Sequence, residues 1–306
     1  MNNIEFYKNR SLGERISAAA EFIIQNWKVM CKIILIPAIP LALLQGYFQQ
    51  NFLGEYVNFV VQAFQGVQVN PNIQNSYGMY ANMGIFYLVY LLYTTILYAI
   101  SGALMSRYGA GLLSKETTLR DVRRKTVSNI GKLLLIGLLM GLMFVILYII
   151  FVVLIVLLAT LSPFLAFPAM FLLVIACGVI MPPMFLTYFP AFFQGTSVVK
   201  SIKKGLFLGF KNWGSTFVIM LIVGFALGTI SSILQIPYLA WLAIDYFFHI
   251  NDPANMVSYA LSMLASLGAA FVTPASFIFF AFHYFSIAEK EEGISLQSKV
   301  EAFDNL

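Results

Sequence analysis

Six long runs of apolar residues, separated by short polar segments, dominate the pattern along this chain. Each run is long enough to cross the hydrocarbon core of a bilayer as an α-helix, which takes about 20 residues. The pattern therefore predicts an all-α fold, a polytopic transmembrane helical bundle. The predicted spans are residues 29–49, 83–105, 133–160, 164–192, 214–238 and 258–286. Only Ser162-Pro163 separates spans three and four, which predicts a tight helical hairpin.

A weak internal repeat precedes the odd-numbered spans. The segments before spans one, three and five carry similar residues at the same spacing: Ser11, Ile16 and Asn26-Trp27; Ser114, Leu119 and Asn129-Ile130; Ser197, Ile202 and Asn212-Trp213. We interpret the six spans as three pseudo-repeated hairpins, each preceded by a cytoplasmic amphipathic helix. In 197–212, apolar residues recur at every fourth position (Val198, Ile202, Leu206, Phe210), with lysines mostly around the other face. Such a helix is typical of the membrane interface.

Composition argues against a water-soluble protein. Hydrophobic residues make up 60% of the 306 positions and charged residues 10%, whereas a soluble domain carries about 25% charged residues. The spans and their connections leave little room for a separate soluble domain. We therefore expect a single transmembrane domain over 1–306, with 287–306 as a short cytoplasmic tail. The first 27 residues are polar and amphipathic, which argues against a cleavable signal peptide.

The distribution of basic residues predicts the orientation. All 18 Lys and Arg residues lie in the N-terminal segment, the 106–132 and 194–213 loops and the C-terminal tail, if Lys32 is counted with the segment that it borders. The opposite loops, 50–82 and 239–257, carry Glu55, Asp245 and Asp252 but no basic residue. Short loops rich in Lys and Arg stay in the cytoplasm. We therefore expect both termini to be cytoplasmic.

Basic residues beside the membrane, together with two tryptophans, are candidates for contacts with lipid headgroups. They are Arg120, Arg123, Arg124, Lys125, Lys200, Lys203, Lys204, Trp27 and Trp213. Lysine and arginine attract anionic headgroups, and tryptophan prefers the interface. This position favours anionic membrane lipids over nucleic acid as the partner. A solvated cytoplasmic face is the alternative interpretation.

Spans two and six each carry a stripe of hydroxyl-bearing and small residues. The residues that recur on one face are Tyr87, Tyr90, Thr94, Tyr98 and Ser101 in span two, and Tyr259, Ser262, Ser266, Ala269, Thr273 and Ser276 in span six. One interpretation is a polar cavity lined by Tyr87, Tyr90, Thr94, Tyr98, Ser262, Ser266 and Thr273. The other is close helix packing, in which hydroxyl groups bond across the interface at about 1 kcal/mol or less per contact.

Two motifs with glycines four residues apart, Gly137-x3-Gly141 and Gly224-x3-Gly228, lie in spans three and five. Glycines at this spacing let helix backbones approach closely, within one chain or between subunits. In a chain with six spans, we favour contacts within the chain.

Chemistry-bearing motifs are absent from the sequence. No Asp, Glu, Lys or Arg lies well inside a predicted span, which disfavours coupling to protons or sodium. We interpret His283 as an interfacial residue. Phosphate-binding loops, nucleophile motifs and metal-binding His/Glu motifs do not occur. We therefore predict a non-enzymatic protein with no catalytic residue, cofactor or metal, and treat Asp245, His249 and Asp252 as a weak metal candidate.

The leader segments and the exit of span six together resemble a known group. The exit runs from His283-Tyr284-Phe285 into Glu292-Gly293-Ile294-Ser295-Leu296. With the Ser-x4-Ile-x9-Asn-Trp leaders, it resembles bacterial multi-pass proteins known as the membrane domain of glycerophosphodiester phosphodiesterase, or YciC-like proteins. The resemblance implies a bacterial inner-membrane location. Catalysis in enzymatic members resides in an appended soluble barrel that this sequence lacks, so no catalytic residue is carried over.

Three functions remain open at this point. The first is a non-enzymatic inner-membrane module that binds lipid or another membrane protein in envelope assembly or homeostasis. The second is an uncoupled transporter or flippase-like conduit for a small molecule or lipid, and the third is an enzyme that acts on lipid. A polar cavity between spans two and six would favour transport over a closely packed centre.

Overall fold

The computed structural model describes residues 4–64, 73–248 and 256–295. Within these ranges the chain forms helices and no strand, so the predicted all-α class is confirmed there. The helices are α1 Leu12–Phe64, α2 Ile73–Gly109, α3 Leu119–Leu161, α4 Pro163–Phe185, α5 Tyr188–Phe193, α6 Val198–Lys211, α7 Trp213–Phe248 and α8 Met256–Glu292.

Six helical segments of the described ranges are long and apolar enough to cross a membrane. They are Leu12–Gly54, Tyr80–Gly109, Leu119–Leu161, Phe167–Phe193, Trp213–Asp245 and Met256–Glu292. These segments coincide with the six predicted spans, which supports a multi-pass membrane protein. The predicted break at Ser162-Pro163 is confirmed, because α3 ends at Leu161 and α4 begins at Pro163.

Span four is interrupted near its last proline, Pro190. α4 ends at Phe185 and α5 begins at Tyr188. Pro190 has no N–H to donate to the carbonyl of Leu186, so the ladder of helical hydrogen bonds is broken at this turn. The amide of Leu186 instead donates to the carbonyl of Pro183 over 3.1 Å, which tightens the end of α4.

The predicted leading helices are not all separate from the spans. α1 and α3 run without a break from leader to span, and only α6 is divided from the helix that follows. That division lies at Asn212, whose φ of −114° and ψ of 33° end the helix. The equivalent residues Asn26, Asn129 and Asn212 each donate a side-chain hydrogen bond to the carbonyl four residues earlier, at 2.8, 2.8 and 3.3 Å. The repeat itself stays a prediction.

α6 packs against its neighbours mainly through small residues. Its buried residues are the small or apolar Ser201, Gly205, Leu208 and Gly209. The Ser201 hydroxyl donates to the Thr187 carbonyl over 2.6 Å, and a Cβ at Gly205 would overlap the backbone of Thr187. On the apolar face, Val198 and Ile202 are partly buried, and Phe210 is 48% exposed. Small residues thus hold α6 against the break between α4 and α5.

The long helices α1 and α8 form the centre of the bundle. They pack along each other, α2 contacts both, α7 packs against α8, and α3 lies between α2 and α4. The closest approach is at Gly46, where a Cβ would overlap the backbone of Met263. There the Ser262 hydroxyl donates to the Gly46 carbonyl over 2.8 Å. Only glycine permits this approach.

One end of the bundle carries its basic residues, and we call it the basic end. It contains the start of α1, the end of α8 and helix α6, with Arg15, Lys204 and Lys290 among its side chains. The N-terminal segment lies here too, because the Arg10 amide donates to the Ser286 hydroxyl over 3.0 Å. We call the opposite end of the bundle the far end.

A dense aromatic core fills the basic end. Phe22, Phe189 and Phe285 are fully buried there. The Phe6 ring stacks on Phe285 at 5.1 Å between centroids, and the edge of Phe193 meets the same ring at 4.8 Å. Burial of such rings contributes heavily to packing.

The outer part of the α3–α4 hairpin, residues 141–178, stands apart from the bundle. The contacts that hold it lie outside this range: a Cβ at Gly137 would lie 2.6 Å from Leu91 Cδ1, and the Trp213 indole donates to the Val179 carbonyl over 2.9 Å. Between 141 and 178, Ala169 is the one buried residue among the side chains that the structure describes. This hairpin therefore presents apolar surface on nearly every side.

The prediction of close intrachain contacts at the glycine motifs is wrong for three of the four glycines. Gly137 packs tightly, but a Cβ at Gly141, Gly224 or Gly228 would meet no other atom within 4 Å. The reason is that α3 leaves the bundle one turn beyond Gly137 and α7 turns this face away from its neighbours.

Candidate functional site

A cavity of about 470 Å³ lies between α1, α2, α7 and α8, toward the far end of the bundle. Its lining is mainly polar or aromatic: Gln45, Gln49, Phe52, Leu53, Phe86, Tyr90, Tyr93, Thr94, Tyr98, Ser231, Gln235, Ser266, Ala269, Val272, Thr273 and Ser276. Its volume is within the range of sites for small organic molecules, about 300–1,000 Å³.

Small residues on α8 create this space. Ser266, Ala269, Thr273 and Ser276 recur every three or four residues, so they lie on one face of the helix. α8 touches α1 at Gly46, and the small side chains that follow leave a gap where larger residues would fill the interface. The lining of the opposite wall includes aromatic side chains of α2, which are too rigid to collapse into the gap.

An amide network supplies much of the polarity. The Gln49 side-chain amide donates to Gln235 Oε1 over 3.2 Å, which joins α1 to α7. The Ser266 hydroxyl donates to Gln49 Oε1 over 3.4 Å, and the Tyr93 hydroxyl donates to the Ser266 carbonyl over 3.0 Å. Four helices thus contribute hydrogen-bonding groups to one space.

Gln45 is the exception in this network. Its side chain is only 3% exposed, and its Oε1 is buried without a hydrogen-bond partner. An unsatisfied buried acceptor costs about 1–3 kcal/mol. This oxygen has almost no accessible surface, so it is buried in the packing around α1 and does not face the open space.

Among the side chains that the structure describes, none that lines the cavity is an Asp, Glu, His, Lys or Arg. An ion transferred into this space would lose its hydration without gaining a countercharge, which is expensive. The groups that line the cavity are hydroxyls, amides and aromatic faces instead. The site is therefore suited to an uncharged molecule that forms hydrogen bonds.

The cavity is closed toward the basic end. The Tyr98 ring packs against Phe277 at 5.0 Å and against Tyr188 at 5.8 Å between centroids. Phe277 in turn lies 5.1 Å from Phe189, in the aromatic core. Tyr98 and Phe277 therefore form the floor of the cavity on this side.

Five of the seven residues predicted for a polar cavity line this one. They are Tyr90, Thr94, Tyr98, Ser266 and Thr273. The prediction is wrong for Ser262, which is buried at the contact with Gly46, and for Tyr87, which is 54% exposed beside Phe52. Both lie on the correct helices, but outside the stretch where the helices separate.

The sequence analysis missed the contributions of α1 and α7. Gln45, Gln49 and Gln235 all lie within predicted spans, where an amide exposed to lipid would be costly. Because of that cost, glutamines within a span are expected to face the interior of the bundle or one another. Their positions could therefore have indicated the cavity. Only stripes of hydroxyl residues were considered as cavity candidates, and single amides were not.

A second polar cluster joins three helices at the basic end. Arg15 Nη1 lies 3.0 Å from His283 Nδ1, and His283 Nε2 lies 3.0 Å from the Thr216 hydroxyl. Because a guanidinium can only donate, His283 must accept at Nδ1 and carry its proton on Nε2. We call Arg15, His283 and Thr216 the clamp, since they connect α1, α8 and α7.

The clamp corrects the interpretation of His283 as an interfacial residue. His283 is fully buried, and Arg15 is only 8% exposed. Beside the clamp, burial lowers the pKa of the Arg10 guanidinium from its usual value, against the opposing effect of Glu5 and Glu14. The basic residues at the start of α1 are therefore partly built into the protein.

The predicted headgroup contacts differ in how accessible they are. Arg120, Arg123, Arg124, Lys125, Lys200 and Lys203 are exposed, as is Trp27. Lys204 instead pairs with Glu292 at 2.6 Å, and Trp213 is held by its bond to Val179. The exposed residues remain available to anionic lipid, and lipid binding stays a prediction.

The weak metal candidate falls partly outside the described residues. His249 and Asp252 lie there, and Asp245 is described. In the ranges that the structure covers, no three His, Cys, Asp or Glu side chains come together as a metal site would require.

Comparison with protein-family models, curated proteins and solved structures gives no match to this chain. The resemblance drawn from the leader segments therefore remains an expectation. The features of the chain that bear on its function are the cavity, the clamp and the distribution of charge.

Proposed function

We propose that this chain is a non-enzymatic integral membrane protein that binds an uncharged polar molecule, or the uncharged headgroup of a larger one, in the cavity. The observation that carries the proposal is a space lined from four helices by hydrogen-bonding side chains, among them the Gln49 and Gln235 amides and the Ser266 hydroxyl. Polar groups that converge on one concave space within a membrane-spanning bundle are typical of a site for a small molecule.

The proposed location is the bacterial inner membrane, with both termini in the cytoplasm. The bias of all 18 Lys and Arg residues toward one side supports this orientation. The basic end then faces the cytoplasm, and the cavity lies in the outer half of the membrane. Such a protein would serve envelope assembly or homeostasis by holding its ligand, alone or with a membrane partner.

Anionic lipid is the proposed partner of the cytoplasmic surface. Arg120, Arg123 and Arg124 lie on exposed positions in the first turns of α3. Each basic residue near an anionic membrane surface contributes about 1 kcal/mol of attraction. This contact would position the protein without occupying the cavity.

A conduit is the second candidate, favoured by one feature of α8. Pro274 lies between the cavity residues Thr273 and Ser276, and a proline inside a helix removes a hydrogen bond and permits bending. Bending there would move Phe277 and open the floor beside Tyr98. Transport requires that movement, whereas binding requires none.

Native mass spectrometry of gently extracted protein tests binding. We expect wild type to retain a small-molecule or lipid adduct that Gln235→Met loses, because Gln235 is a partly exposed amide of the lining. Thr94→Val and Thr229→Val form a matched pair, because both hydroxyls donate to carbonyls of their own helix but only Thr94 lines the cavity.

Thr94→Val should weaken the adduct, and Thr229→Val should leave it unchanged. Identical adducts on wild type and Gln235→Met, or equal effects of the two threonine variants, would contradict binding in the cavity.

A further inference from the structure

Contacts on two sides of α6 fix how this helix is turned about its axis. On one side, Val198 and Ile202 pack against the cluster of Ile136, Met140 and Ala191. Ile136 and Met140 belong to α3 and lie within the predicted third span. This side of α6 therefore faces the part of the bundle that spans the membrane.

The other side of α6 binds the end of α8. Lys204 pairs with Glu292 at 2.6 Å, and Lys211 pairs with Glu291. The two lysines are seven residues apart, about 10 Å along the helix, yet they reach adjacent residues of α8. α6 therefore crosses the end of α8 instead of running beside it. Because both glutamates follow residue 286, where the predicted sixth span ends, this side of α6 faces away from the membrane.

Apolar side chains on the membrane-facing side of α6 extend beyond the contact with α3. The helical period places Val199, Leu206 and Phe210 on the same side as Ile202, and we call these three residues the apolar strip. Leu206 is partly buried, whereas Val199 is 60% exposed and Phe210 48%. Exposed apolar surface that faces a bilayer is covered by acyl chains, because contact with water would be less favourable.

Two free cations border the apolar strip. Lys200 and Lys203 are exposed, and neither belongs to an ion pair in the part of the chain that the structure describes. Between them around the helix lies Phe207, which is 64% exposed and has the Lys211 ammonium 6.0 Å from its ring centroid. Around α6, apolar side chains are therefore followed by lysines and an aromatic ring. A leaflet of anionic phospholipid presents acyl chains and then phosphates in the same order.

We propose that α6 anchors the basic end in the cytoplasmic leaflet: Val199 and Phe210 insert among the acyl chains, while Lys200 and Lys203 bind the phosphates of anionic phospholipids. This inference rests on the proposed contact with anionic lipid and assigns it a second surface, besides the start of α3.

The pairing of the lysines and the apolar strip decide which residues bind and what they bind. Lys204, whose sequence position also suggested a headgroup contact, instead holds the helix in place through Glu292. A soluble anion would bind only the free lysines and would leave the apolar strip in water. The strip therefore favours a phospholipid over free phosphate as the source of the negative charge.

Fluorescence quenching in lipid nanodiscs tests the insertion of α6. Bimane is attached to single cysteines in a cysteine-free background of the full-length protein. We expect the labels at Val199→Cys and Phe210→Cys to be quenched by phospholipid brominated on its acyl chains and to be protected from aqueous iodide. Phe225→Cys, exposed within the fifth span, is the reference for lipid, and Lys115→Cys, exposed in the loop between α2 and α3, is the reference for water. Iodide quenching of both α6 labels as strong as at Lys115→Cys would overturn the anchor.

The same label at Phe210→Cys tests the preference for anionic lipid. The nanodiscs contain phosphatidylcholine and phosphatidylglycerol, and only one of the two lipids carries bromine in each measurement. We expect stronger quenching by brominated phosphatidylglycerol, equivalent to a local enrichment of at least about fivefold, the effect of one lysine near an anionic surface. Lys200→Gln/Lys203→Gln should abolish the enrichment. Lys8→Gln/Lys115→Gln removes the same charge from exposed lysines outside α6 and should preserve it.

Two results would reject the anionic headgroup: equal quenching by the two brominated lipids, or equal loss of enrichment in both double variants. Either result is distinguishable from failure of binding in the cavity, because the Gln235-dependent adduct is measured separately. Loss of that adduct would refute the cavity site and leave the anchor standing.

Discussion

The clamp makes a quantitative prediction about stability. His283→Leu removes the acceptor of Arg15 Nη1 while the Thr216 hydroxyl keeps its other bond, to the Asn212 carbonyl at 3.0 Å. The guanidinium is then buried with one hydrogen bond fewer, besides the bond from its Nε to the Arg10 carbonyl. A hydrogen bond to a charged group contributes about 1.5–3 kcal/mol. We expect His283→Leu to lower the free energy of unfolding by that amount.

A double-mutant cycle isolates this contact. Arg15→Met alone has an uncertain sign, because it loses hydrogen bonds but also removes a buried cation. The cycle compares the change in the free energy of unfolding that His283→Leu causes in wild type with the change that it causes in Arg15→Met. The difference between these two changes does not depend on the sign of the Arg15→Met effect. We expect a coupling of about 1.5–3 kcal/mol, so His283→Leu should cost much less when Arg15 is already absent.

The cycle needs the free energy of unfolding of wild type, the two single variants and the double variant. Each is measured by unfolding in mixed micelles with a rising fraction of sodium dodecyl sulfate, followed by far-ultraviolet circular dichroism. Arg120→Met replaces Arg15→Met as the control, because Arg120 is exposed and makes no contact with His283. Its cycle with His283→Leu should be additive within about 0.5 kcal/mol. Additivity in the Arg15 cycle would refute the clamp as a stabilising contact.

Three further predictions concern packing, ion pairs and orientation. Gly46→Val should force α1 and α8 apart and destabilise the protein by about 1–3 kcal/mol in the same unfolding assay, whereas Gly224→Val, which meets open space, should have a much smaller effect. Lys211→Gln removes an ion pair of a half-exposed lysine and should change the free energy of unfolding by less than about 1 kcal/mol. In a cysteine-free background, an impermeant thiol reagent added to intact cells should label Asp245→Cys but not Lys203→Cys; the reverse pattern would invert the proposed topology.

Local chemistry determined which parts of the fold could be predicted. The turn at Ser162-Pro163 followed from proline, since proline both ends one helix and suits the first turn of the next. The spans followed from length and hydrophobicity. The prolines of span four predict an interruption but do not locate it, because Pro168, Pro182 and Pro183 lie inside α4 without ending the helix.

The candidate site shows where periodicity stops being informative. The helical period placed Tyr90, Thr94 and Ser266 on shared faces, and these residues line the cavity. The same period also selected Ser262, which packs against α1 only because Gly46 allows contact one turn earlier. Whether a polar face packs or opens depends on the separation of two helices, and the sequence of one helix does not contain that information.

The clamp shows a second limit of prediction from a single sequence. Arg15 and His283 are 268 residues apart, and each resembles an ordinary interfacial residue in its own segment. Their meeting depends on α1 and α8 being antiparallel and in register over their full length. A single sequence carries no signal of such a pair when neither residue belongs to a motif.

The clamp and the floor together favour retention of a ligand over its passage. Opening the floor at Tyr98 and Phe277 requires α8 to move away from the aromatic core, which buries Phe189 and Phe285. Movement of the lower part of α8 also strains the bonds of His283 to α1 and α7. A conduit would therefore have to break interactions that binding in the cavity leaves intact.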